Sequence, residues 1–253
     1  PAESVTILGL GFILGLKHAL DADHVIAIAT IVSERKGILS SSFVGMLWGI
    51  GHTAALLVIG SCVVALQLQL PEKLALSMEF AVAVMLILLG GNVLKKVYRG
   101  ETLHVHVHSH HGRRHVHLHA HAADSPHDLE EASHHDSRSS RLLKRALARF
   151  SENRRSLLIG MVHGMAGSAG LMLLVLATIS DSLLALAYIG VFGIGSMGGM
   201  LVMSALVGLP FAFTANRSIL INRIIRGCAG SVSVIFGLLL AWQIGVVEGL
   251  FIR

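Results

Sequence analysis

Charge is what this sequence has least of. Only 14% of its 253 residues are Asp, Glu, Lys or Arg, where soluble domains carry about 25%. A water-facing surface of ordinary polarity cannot be built from so few. Cysteine is also scarce, and two residues exclude a disulfide-stapled secreted scaffold. Cys62 and Cys228 fall in or at the edge of apolar runs, where a packed small hydrophobe is expected rather than a disulfide. Aromatics make up 5% and are not interleaved with basic residues. The net charge of +5 therefore does not point to a nucleic-acid surface. No G-x-x-x-x-G-K-[ST] or H-E-x-x-H occurs, so neither a phosphate-binding loop nor a zincin site is present.

Apolar length is what the sequence has instead. Six runs stand out, at about Val5–Val32, Leu39–Leu70, Leu74–Val97, Ser156–Ile179, Leu183–Pro210 and Cys228–Phe251. Each is roughly 20 residues or more, enough to cross about 30 Å of hydrocarbon as a helix. The first run has no basic region before it and no cleavage site after it, so it reads as a span rather than a signal peptide. The expected fold is all-α, a polytopic membrane protein with six transmembrane helices. Of the 20 Lys and Arg, 17 lie in the loops after the first, third and fifth runs. That bias predicts cytoplasmic odd-numbered loops, with both termini outside the cytoplasmic membrane.

Two three-helix units recur. Gly15-Leu-Lys-His18 aligns with Gly160-Met-Val-His163, and Trp48-Gly-Ile-Gly51 with Phe192-Gly-Ile-Gly195. Val82-Ala-Val84 aligns with Val232-Ser-Val234, giving offsets of 145, 144 and 150. An odd number of spans per unit makes the second copy enter from the other side. The expectation is an inverted repeat, residues 1–97 and 156–253, with a site near the midplane where the copies meet. His52 corresponds to Ser196, and Asp21, Asp23 and His24 to Ala166, Ser168 and Ala169, so that site is asymmetric.

Residues 98–155 join the halves as a cytoplasmic loop holding 12 of the 16 histidines, between His104 and His135. Alternating histidine with no apolar face to bury reads as a largely disordered tract that binds metal loosely. The stretch Ser140–Arg155 has leucines and arginines at helical spacing and is expected at the cytoplasmic interface.

The densest chemistry is in G-L-K-H-A-L-D-A-D-H-V, residues 15–25, where Lys17, His18, Asp21, Asp23 and His24 sit in an apolar run. A charge at the bilayer centre costs about 2.5–3.5 kcal/mol on insertion scales, so these groups need partners. Lys17 is expected to balance an aspartate, not to ligate. On a regular helix His18, Asp21 and His24 form one ridge about 9 Å long, and Asp23 points away from it. Either the helix is broken here, or Asp23 serves another helix or an outer shell. Imidazoles and carboxylates without thiolate suit Ni²⁺, Co²⁺ or Zn²⁺ rather than Cu⁺. His52 and His163 are candidate ligands from facing helices. The plainer readings are interhelical hydrogen bonds for these two, and a watery vestibule or a Lys17–Asp pair for the cluster.

The stretch His18-Ala-Leu-Asp-Ala-Asp23-His24 resembles the H-x4-D-H signature of the nickel/cobalt transporter (NiCoT) family. Leu47-Trp-Gly-Ile-Gly51-His52-Thr53 is similar to that family's second motif. The segments around His163 and Phe192–Met200 look most like its six-helix branch of urease-accessory nickel permeases. The chain departs from the larger members in having Lys17 for arginine, Met165-Ala-Gly-Ser168 for an acidic motif, and Ser204 after Gly199-Met200. The resemblance implies a secondary permease for Ni²⁺ or Co²⁺, which are substrates, with no prosthetic group and no enzyme activity. His18, Asp21, Asp23, His24, His52 and His163 would meet the ion. Import is the reading nearest to the uptake permeases, with the histidine loop trapping metal for a cytoplasmic metallochaperone. Efflux, with the same loop collecting metal for expulsion, is the alternative. Rivals from other classes are an intramembrane zinc hydrolase and a sensor or store that uses only the loop.

Overall fold

The computed structural model describes residues 2–35, 37–66, 71–100, 104–110, 113–119, 154–166, 179, 181–215 and 217–251. In chain order the helices are α1 (Ala2–His18), α2 (Ala22–Val32), α3 (Ile38–Leu66) and α4 (Glu72–Tyr98), then α5 (154–165), α6 (Ser182–Ala215) and α7 (Ile219–Trp242). A π turn, Gln243–Val247, continues α7. Between α4 and α5, β1 (His104–His110) and β2 (Arg113–His119) form an antiparallel pair.

Among the described residues, four helices are long and apolar enough to cross a membrane: α3, α4, α6, and α7 with its π turn. The pair α1–α2, bent by 53° at its break, makes a fifth as one broken span. The run expected at Ser156–Ile179 is described only over 154–166 and at 179. The spans turn large apolar side chains outward, such as Leu39, Leu183 and Val247. A multi-pass membrane protein presents such a surface to lipid.

Each of the two longest helices buries one stripe. On α3 it runs through Ser41, Gly45, Trp48, His52, Leu56 and Gly60. On α6 it runs through Ala185, Ile189, Phe192, Ser196, Met200 and Ser204. The stripes face each other, and Thr53 Oγ1 donates to the Gly193 carbonyl at 3.1 Å. Lipid tails supply no hydrophobic drive between helices, so close backbone approach at small residues takes its place. A Cβ on Gly15 (α1) would collide with the Phe192 carbonyl oxygen, and one on Gly160 (α5) with that of Trp48. A Cβ on Gly51 would meet the Leu157 carbonyl, and one on Gly195 that of Phe12. The pair α4–α7 is tied by Ser233 Oγ, which donates to the Leu86 carbonyl at 2.8 Å.

Several expectations need correction. α6 passes through Pro210 to Ala215 rather than ending there. Thr214 Oγ1 donates to the Pro210 carbonyl at 2.7 Å in that last turn. The last span begins at Ile219, nine residues before Cys228, and Ser218 caps it by accepting from the Ile221 amide at 3.3 Å. Arg223 and Arg226, read as loop residues, therefore lie on α7. Arg223 donates to the Val97 carbonyl in the last turn of α4, at 3.1 Å from Nε and 2.7 Å from Nη2. Cys62 and Cys228 are exposed and unpaired rather than packed. Within the histidine tract, His104–His110 and Arg113–His119 pair antiparallel, with His104 opposite His119 and His110 opposite Arg113. Val105 and Val107 in β1, and Val116 and Leu118 in β2, give both arms the two-residue period of a strand, and the valines its β-branched content. Residues 120–153, most of the helical tail included, lie outside the described residues.

Candidate metal centre

The centre is built on the break in the first span. α1 closes at His18, and Leu20 and Asp21 donate backbone hydrogen bonds to Lys17 and His18 at 2.9 and 3.1 Å, a tight last turn. Asp21 then adopts φ −60° and ψ 146°, which ends the helical path, and α2 restarts at Ala22. Aspartate is a weak helix former that favours this N-cap position. Its carboxylate makes no cap here. It reaches back to His18, with Oδ2 2.7 Å from Nδ1. The continuous ridge of His18, Asp21 and His24 therefore does not exist, because the backbone turns between its members.

Asp23, which points away on a regular helix, is instead the most connected carboxylate. Oδ1 accepts from the His24 amide at 3.0 Å and lies 3.1 Å from His24 Nδ1. Oδ2 lies 2.9 Å from His163 Nε2 on α5. The carboxylate sits in the first turn of α2, where the helix dipole favours negative charge.

An ionised carboxylate only accepts. Each of these contacts therefore fixes the proton on the facing ring nitrogen and leaves the other nitrogen with a lone pair. Those other nitrogens, His18 Nε2, His24 Nε2 and His163 Nδ1, are buried without a hydrogen-bond partner among the described residues. Both ring nitrogens of His52 are in the same condition. All four imidazoles are at most 5% exposed. Orphaned polar atoms in such number are costly unless something else occupies them. The His24 ring centroid lies 4.1 Å from that of His163, 4.4 Å from His18 and 5.2 Å from His52.

Two sets of ligand atoms converge to within 4.8 Å, His18–His24–His52 and Asp23–His24–His163, and His24 belongs to both. Asp21 is in neither set. Trp48 walls one side, 5.3 Å from both the His24 and His163 rings, and Phe192 the other, 5.5 Å from His18. Carboxylates that orient imidazoles for a metal are a recurrent outer shell. The arrangement is suited to taking up one divalent borderline cation with nitrogen donors and at least one negative charge.

Lys17 lies exposed, and no ion pair between it and an aspartate is found among the described residues. Two residues escaped the sequence reading. Trp48 was noticed only as part of a motif, yet its indole walls the site. Glu79, two turns into α4, lines a cavity of about 230 Å³ together with Asp23 and His163, against Val82, Phe236 and Leu240. A lone acid inside an apolar run was the signal for it.

A bilayer-spanning helical protein with a buried imidazole–carboxylate cluster at a broken helix is the class this geometry defines. The chain is 34% identical over 254 residues to the urease accessory protein UreH of Bacillus sp. (strain TB-90), covering 98% of this chain and 96% of that relative. It belongs to the UreH family, the urease-accessory branch of the nickel/cobalt transporters that its motifs resemble. No family model and no solved structure gives a significant match.

Proposed function

We propose that this protein is a secondary permease, not an enzyme, that carries Ni²⁺ or Co²⁺ across the cytoplasmic membrane through the cluster at the α1–α2 break. One observation carries the reading: among the described residues, five ring nitrogens of four buried histidines have no hydrogen-bond partner, and carboxylates behind three of them hold the protons on the far side. An ion entering this space loses water and gains imidazole lone pairs, while Asp23 offsets part of its charge. His18, His24, His52 and His163 are the ligands in this reading. Asp23 contributes charge and orientation, and Asp21 orients His18. The urease connection of the relative favours nickel among the metals these donors accept.

Six spans in two inverted units suit this work. Adding 145 to Gly15 gives Gly160 and subtracting 144 from Phe192 gives Trp48, and the contacts obey that exchange. Gly15 abuts the Phe192 carbonyl and Gly160 abuts that of Trp48. Gly195 with Phe12 and Gly51 with Leu157 repeat the relation. A discontinuous helix at the interface of two such units is where secondary transporters hold their ions. The basic residues favour termini outside and the histidine tract inside. Import follows if the tract receives the ion for a metallochaperone, and export if it gathers ions for removal.

Radioactive nickel accumulation in cells expressing His18→Ala or Asp23→Ala tests site and direction together. Lost accumulation supports import and raised accumulation supports export. Accumulation equal to wild type would remove this cluster from the pathway.

A further inference from the structure

Glu79 lies inside the α4 span, half-buried, and makes no hydrogen bond or ion pair with any described residue. It shares its cavity with Asp23, and with His163, which is buried and keeps Nδ1 unpartnered. Among the described residues the remaining walls are apolar, and none of them neutralises the two carboxylates. Acidic groups within a span mark ion pathways when they face a cavity rather than lipid. Glu79 is seven residues from the start of α4, about 10 Å along the helix. That places it about two turns inside the Glu72 end of the span.

We infer that this cavity is a second cation station, in which Glu79 and Asp23 hold a partly hydrated divalent transition-metal ion next to the histidine cluster. The inference rests on the permease reading and extends it. Its volume of about 230 Å³ has room for several waters, one of which needs roughly 10–15 Å³ of such space. Carboxylate oxygens accept an ion that keeps most of its waters, while imidazoles compete for it only once waters leave. His163 and Asp23 border both spaces, so the ion passes between them without crossing an apolar gap. Oxygen donors discriminate poorly between divalent ions and nitrogen donors discriminate well. Capture at Glu79 is therefore open to Mg²⁺, and selection falls to the histidines.

The test is nickel transport by the full chain in proteoliposomes, with Glu79→Gln and Glu79→Asp beside wild type. Glu79→Gln is expected to raise the half-saturating nickel concentration about tenfold, with the maximal rate within twofold of wild type. Glu79→Asp is expected to recover most of the loss. Excess Mg²⁺ should raise the half-saturating concentration of wild type and leave that of Glu79→Gln unmoved, which a merely structural role would not produce. Wild-type half-saturation and Mg²⁺ sensitivity in Glu79→Gln overturn the station alone. A maximal rate lost in both variants also overturns it, because a capture station sets affinity rather than turnover. Wild-type protein that moves no nickel overturns the permease reading, and the station with it.

Discussion

Asp23 Oδ2 lies 2.9 Å from His163 Nε2, joining the first turn of α2 to α5 across 140 positions of sequence. The same carboxylate holds His24 through Oδ1. One side chain thus orients two imidazoles from different helices. Asp23→Asn keeps the shape and loses the charge, and an amide no longer dictates which nitrogen of His163 carries the proton. Nickel affinity of the purified protein is expected to fall about 10–100-fold, the usual cost of removing such a partner. His163→Ala is expected to lose a similar factor. Titrations of the two single variants and the double variant check the link. Residues that act together give a double loss well short of the product, and independent losses would count against the shared role.

His52 is the ligand candidate with neither nitrogen partnered among the described residues. His52→Leu fills similar space and removes both orphaned atoms. The metal-free protein is expected to unfold at the same or a higher temperature, with a gain of about 1–3 kcal/mol at most. Nickel, which stabilises whatever state it binds, should raise the wild-type melting temperature and raise that of His52→Leu much less. A metal-free variant that is clearly less stable would mark His52 as a structural residue.

The parts of this site that the sequence exposed were those written as residue types. Four intramembrane histidines and two aspartates stand out against apolar spans, and the glycines that bring helices together recur at fixed offsets. What it concealed depends on backbone angles. The ψ of 146° at Asp21 brings Asp23 into the centre and leaves Asp21 outside both converging sets. No spacing rule for a regular helix yields that exchange. Arg223 misled for another reason, since a basic residue after an apolar run reads as a loop. Its guanidinium caps the carbonyl end of α4 from within α7. Glu79 was legible and went unread, because one acid in a long apolar run draws less notice than five ionisable residues in eight.

Gly160 and Gly91 make a paired test of the packing. A Cβ on Gly160 would overlap the Trp48 carbonyl oxygen, whereas nothing lies within 4 Å of one on Gly91. Backbone cannot move aside as a flexible side chain does. Gly160→Ala is expected to cost about 1–3 kcal/mol, as overpacking does. Gly91→Ala is expected to be neutral or to gain up to about 1 kcal/mol from helix propensity. Thermal unfolding in detergent measures both, and equal effects would mean that α5 does not seat on α3 through Gly160.

The histidine tract gives the last prediction. Deleting residues 104–135 removes 12 of the 16 histidines and leaves the four buried ones untouched. The tract lies between the two halves in sequence, and none of its residues belongs to either converging ligand set among the described residues. Histidines in such a tract raise the local metal concentration without setting the affinity of the buried centre. Transport at low nickel is therefore expected to fall a few-fold, while the rate at saturating nickel stays near wild type. A sensor or store that worked through the tract would lose all nickel-dependent behaviour with it. Measuring initial transport rates over a range of nickel concentrations separates these outcomes, because a lost local reservoir is overcome by more metal and a lost binding site is not.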